Sequence, residues 1–130
     1  MEDNSEVARV LTANTAFYRA FSDRDLSAMA SLWAEDEEIA CLHPGWPMLE
    51  GREKVLQSWE GILSNPQSID IEFGNGTVEF TDEEAVVKGS EFFGAEVTKV
   101  VNVFRRQSNG EWRMVFHGAE AIKLSAPGHA

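Results

Sequence analysis

Across residues 6–21 apolar side chains return every three or four positions, at Val7, Val10, Leu11, Phe17, Tyr18 and Phe21, with Asn14 the one polar residue in the stripe. That period puts them on one face of an amphipathic helix. Ser22 and Asp23 interrupt it. Asp25 then precedes Leu26, Met29, Ala30, Leu32 and Trp33, the arrangement of a second, shorter helix with an acidic N-cap. Residues 35–38 form a charge run that reads as a solvated turn. Residues 39–42 form a short apolar strand stopped at Pro44, which has no N–H for a ladder. Gly51 precedes a third helix, in which Val55, Leu56, Trp59, Ile62 and Leu63 keep helical spacing until Asn65 and Pro66.

Beyond Pro66 the period changes to two. Ile69, Ile71 and Phe73 alternate with polar residues, and Val78 and Phe80 resume the alternation after Gly74 and Gly76. Residues 85–93, 97–106 and 112–122 complete a set of long strands, with turns at 82–84, Gly94 and Asn109-Gly110. Helices first and antiparallel strands later predict an α+β domain, three helices covering one face of a curved sheet. One domain over residues 1–124, with a disordered tail at 125–130, is expected from 130 residues without repeats or linkers.

Charge and cysteine count then narrow the partners. The formal net charge of −11 repels phosphate backbones and anionic lipid surfaces, so neither nucleic acid nor membrane is expected as a partner. With no basic and apolar leader visible and a lone Cys41, a cytoplasmic home is expected. His43, His117 and His129 lack ligand-like spacing and no phosphate-cradling glycine loop is present, so neither metal nor cofactor is expected.

His43 stands out among the chemical candidates because an imidazole can take a proton at neutral pH, and the rigid Pro44 beside the permissive Gly45 can aim it. It can equally fix the strand-to-loop turn. Cys41 shares strand parity with His43 and could be a thiol beside its base, or a small buried hydrophobe, since side chains two apart on a strand run parallel. Asn102, between Val100 and Phe104 in parity, is either a donor to a ligand oxygen or a buried amide satisfied by its neighbours. His117 shares parity with Val115 and Glu91 with Gly89 and Phe93; both could line a pocket, where desolvation would raise the carboxyl pKa. Trp33, Trp46, Trp59 and Trp112, with Phe104 and its fellow phenylalanines, supply aromatic surface for a cavity or a core.

The order of these features resembles a known superfamily. The Asp25-Leu26 start, the Trp33-Ala34-Glu35-Asp36 helix end, His43-Pro44, Gly51-Arg52 and the Gly110-Glu111-Trp112-Arg113 hairpin are similar to SnoaL-like, or nuclear-transport-factor-2-like, domains over residues 5–122. The resemblance implies a cone of bent antiparallel sheet closed by helices around an apolar pocket, commonly dimeric through the sheet. It places His43 where ketosteroid isomerases carry an aspartate base, and Asn102 where they carry a protonated aspartate donor. At their oxyanion tyrosine stands Phe17, without a hydroxyl, and Tyr18 adjoins it.

The superfamily holds isomerases, dehydratases, an epoxide hydrolase, cyclases, a kinase association domain and proteins of no known activity, so fold does not fix function. Three readings follow. The first is a dimeric domain whose pocket holds a small apolar or aromatic molecule oriented by His43, Trp46 and Asn102, with Phe17, Tyr18, Trp33, Cys41, Trp59, Glu91, Phe104 and His117 around it. The second is a cofactor-independent isomerase, dehydratase or cyclase with His43 as base and Asn102 as oxyanion donor. The third is an association module without ligand.

Overall fold

The computed structural model describes residues 4–35, 38–65 and 71–121. Helix α1 (Asn4–Asp23) buries Val10, Asn14, Phe17 and Tyr18 on one face, as the period of the sequence requires. Leu11, expected on that face, is 38% exposed instead, because the stripe turns away from it by one position. Helix α2 (Leu26–Leu32) starts where Asp25 accepts a hydrogen bond from the Ala28 amide at 3.0 Å. That cap satisfies one of the orphan N–H groups of the first turn. Asp25→Ala should therefore cost about 1 kcal/mol in urea unfolding, and an unchanged midpoint would deny the cap any weight.

Short strands β1 (Ala40–Leu42) and β2 (Leu49–Glu50) precede α3 (Arg52–Leu63), and four long strands follow: β3 (Glu72–Thr81), β4 (Glu84–Phe93), β5 (Glu96–Arg106) and β6 (Trp112–Ala121). The curved sheet has the order β2-β1-β6-β5-β4-β3. Two features depart from the sequence reading. β1 runs parallel to β6, pairing Cys41 with His117, so the sheet is mixed rather than wholly antiparallel. β2, with only two residues, is too short to show any periodicity. Pro66, Ile69 and the tail at 125–130 lie outside the described residues.

One core joins helices and sheet: Val10 and Phe17 of α1, Met29 of α2, and Val55 and Trp59 of α3 pack with Val87, Phe104 and Met114. The Arg52 guanidinium closes the end of α2, donating to the carbonyls of Ala30, Trp33 and Ala34 at 2.8–3.2 Å. A register shift between Val103 and Phe104 turns both Met114 and Val115 inward, which sets the parity that aims His117 into the interior. Gly89 allows another close approach. A Cβ there would lie 2.5 Å from the Phe73 ring and 2.8 Å from the Gly74 carbonyl. With that space open, Phe73 stacks on Tyr18 at 5.3 Å between centroids and steadies it.

Candidate functional site

Register brings the polar interior together. Asn102 of β5 lies opposite His117 of β6, and Thr98 of β5 opposite Glu91 of β4. All four are buried, as is Asn14 on the facing helix. Buried polar groups must find partners, and here they find one another. The Asn102 amide nitrogen donates to Asn14 Oδ1 at 2.9 Å and to the Tyr18 hydroxyl at 3.1 Å. Tyr18 donates to Glu91 Oε2 at 2.6 Å, and Thr98 donates to Glu91 Oε1 at 3.0 Å. With both Asn102 amide protons used, its Oδ1 can only accept, and it does so from His117 Nδ1 at 2.6 Å.

That accounting fixes the His117 tautomer. Its proton sits on Nδ1, and Nε2 carries a lone pair 3.9 Å from Glu91 Oε2. Burial pushes both groups toward neutrality: His117 falls to about 3, with the nearby His43 adding to the effect, and the Glu91 carboxyl rises despite its two hydrogen bonds. Burial therefore disfavours the ion-pair form of this approach.

His43 occupies a second corner. Ser58 donates its proton to the Val55 carbonyl at 2.7 Å, so the 2.9 Å contact between His43 Nε2 and Ser58 Oγ has the imidazole as donor. Burial lowers its pKa to about 4. Cys41 Sγ approaches the same ring, 3.6 Å from Nε2 and 4.0 Å from Nδ1, closer than parallel strand neighbours would suggest. Burial pushes its thiol pKa up, and ionisation of Glu91 would push it further, the opposite of what a nucleophile needs.

Both histidines bind protons more weakly folded than unfolded, where their pKa is near 6.5. Stability should therefore fall as pH drops below 6.5, by about 1.4 kcal/mol per pH unit for each histidine at full effect. Glu91 acts oppositely until pH 4.5, but one carboxyl does not offset two imidazoles. Urea midpoints at pH 7.0 and 5.0 test this. The drop should shrink in His43→Asn, whose amide can still donate to Ser58, and equal drops in the two proteins would contradict the assignment.

His43, Glu91 and His117 meet at a cavity of about 200 Å³, whose remaining wall is Phe21, Pro44, Ile62, Ile71 and Phe93. Other candidates fall elsewhere. Trp46 is 44% exposed; its amide donates to the His43 carbonyl at 2.9 Å and its ring meets the imidazole edge-on at 4.8 Å between centroids. Phe17, Trp33 and Phe104 are fully buried core residues and form no part of the cavity wall. Trp59 backs the site, packing edge-on against His43 at 4.8 Å and Phe17 at 5.4 Å. Tyr18 and Cys41 touch cavity residues without lining it. Asn102, the expected oxyanion donor, has both its amide protons committed to Asn14 and Tyr18 and sits as a buried hub between them and His117. Phe21, Ile62 and Ile71 escaped the sequence reading as pocket residues, since a helical or strand period marks what is buried but not which buried side chain borders a void.

Among the described residues no group of three or more His, Cys, Asp or Glu side chains is placed to hold a metal, and no helix is long and apolar enough to cross a membrane.

Comparison with known proteins follows the same lines. Among solved structures, a candidate dehydratase of the NTF2-like family from Streptomyces avermitilis is 31% identical, with a TM-score of 0.83 over 92% of this chain and 97% of that one. A candidate calcium/calmodulin-dependent protein kinase type II association domain from Thiobacillus denitrificans is 30% identical, with a TM-score of 0.78 over 85% of this chain and 93% of the other. The F-box protein SKIP8 of Arabidopsis thaliana is 28% identical over 117 residues, 88% of this chain but 50% of that protein, so the chain spans about half its length. Residues 10–120 match the SnoaL-like domain family, and the chain belongs to it.

Proposed function

We propose that the cavity holds a small, mostly apolar molecule and that Glu91 and His117 move a proton to and from it without a cofactor. One observation carries this reading: three buried titratable side chains, His43, Glu91 and His117, converge on a single cavity whose other walls are apolar. Perturbed groups gathered in a cleft are the usual mark of a chemical site. An apolar cavity of ~150 Å³ accepts benzene, so the volume suits a molecule of about one ring. His117 Nε2 supplies the base and the Glu91 carboxyl the acid, burial favouring the neutral form of each. After the proton pair has moved, the resulting imidazolium and carboxylate stand 3.9 Å apart and can neutralise each other. His43, committed to Ser58, shapes the wall rather than serving as the base.

The resemblance to a candidate dehydratase at 31% identity supports the enzymatic form of this reading. A screen of single-ring fragments by amide and imidazole NMR tests it. Binding should perturb Phe21, Ile62, Phe93 and His117 and disappear in Ile62→Trp, which fills the cavity. Hits confined to the outer face of the sheet, or none, would contradict it.

A second reading has its own support. Val97, Val101, Val103 and Phe116 are only partly covered on the outer face of β5 and β6, with Trp46 bordering the groove beside Val101 and Phe116. We infer self-association through this face. Sedimentation should give twice 14.5 kDa at micromolar concentration, and Val101→Glu should halve it; a wild-type monomer would end this reading.

A further inference from the structure

The hydrogen-bond inventory of the cavity also says what it accepts, an inference that rests on the acid–base reading above. The proton of His117 is used on Asn102 and leaves Nε2 as a bare acceptor with no hydrogen-bond partner among the described residues. The Nε2 proton of His43 is used on Ser58, so Nδ1 is an acceptor too, with the Cys41 thiol 4.0 Å from it. Tyr18 and Thr98 already spend their protons on Glu91. Apart from the Glu91 carboxyl proton, the polar end of the cavity therefore offers lone pairs and no uncommitted donor.

We propose that the cavity selects neutral molecules bearing a hydroxyl group, seated between His117 Nε2 and Glu91 Oε2, over the same skeleton bearing a carbonyl or a carboxylate. An oxygen ~2.8 Å from each of these two atoms fits their 3.9 Å separation as a simple triangle. The hydroxyl donates to the imidazole and keeps its lone pairs for the carboxyl. A carbonyl has nothing to donate, so His117 Nε2 stays unpaired in an apolar surrounding. Sites built around a ligand hydroxyl reject analogues lacking it for this reason. A carboxylate would add an unpaired charge among lone pairs, a costly burial.

Benzyl alcohol, benzaldehyde, benzoate and toluene share one ring and nearly one size, which isolates the polar group. In NMR titrations at pH 7, benzyl alcohol should bind at least about tenfold more tightly than the other three and should move the His117 Nε2 resonance most. Benzaldehyde, benzoate or toluene binding as tightly as benzyl alcohol would overturn hydroxyl selection while leaving the cavity reading intact. If none of the four perturbs the cavity residues, both fail together.

Discussion

Asn102→Ala is expected to lose about 3 kcal/mol or more of unfolding free energy. The residue is fully buried, and its side chain serves three partners at once: Asn14, Tyr18 and His117. Removing it orphans an amide oxygen contact, a phenol lone pair and an imidazole N–H in a space sealed from water. Each orphan costs about 1–3 kcal/mol. Asn14→Ala removes one of those contacts and should cost clearly less. Urea unfolding of the two variants distinguishes a hub from a replaceable amide; equal costs would reduce Asn102 to one more buried polar group.

Glu91→Gln should move stability and chemistry in opposite directions. Burial raises the Glu91 pKa above 4.5, so above pH 4.5 the folded state still holds a proton that the unfolded state has already released. The wild-type chain carries that penalty above pH 4.5, and it grows with pH until the folded-state pKa is passed. Glutamine keeps an oxygen for Tyr18 and an amide end near Thr98 but has no proton to release. Its melting temperature should exceed that of the wild type at pH 8, and the gain should vanish at pH 4.5 and below. Proton exchange with any molecule turned over in the cavity should fall at least a hundredfold, the usual weight of a positioned acid or base. A less stable variant at pH 8 would mean that Glu91 is ionised and supported, and the acid assignment would fail.

Much of this arrangement was legible before any coordinates, and particular residues show where legibility stopped. The three-and-four spacing from Val7 to Phe21 is local, and α1 followed from it. So did the cap at Asp25 and the turns at Gly94 and Asn109-Gly110. Asn14 interrupted an otherwise apolar stripe, a sign of a buried partner. That partner, Asn102, lies 88 positions away, and nothing local could name it. Parity grouped His117 with Val115 and Glu91 with Gly89 and Phe93 and left open which way those faces point; their approach depends on the bulge that turns Met114 and Val115 inward together. Sequence period is blind to such a shift. The resemblance to isomerases drew attention to His43 and Asn102 as base and donor; the hydrogen bonds that commit His43 Nε2 to Ser58 and the Asn102 amide to Asn14 and Tyr18 are the reason those roles are proposed for His117 and Glu91 instead.

The acid–base reading and the hydroxyl selection both depend on one state: His117 neutral, protonated on Nδ1, with Nε2 bare toward Glu91. Long-range nitrogen–proton NMR on histidine-labelled protein reads it directly. The account predicts that at pH 7 His117 shows the Nδ1–H tautomer and His43 the Nε2–H tautomer, and that neither titrates between pH 5 and 8. A His117 ring protonated on Nε2, or one titrating near pH 6.5, would contradict it.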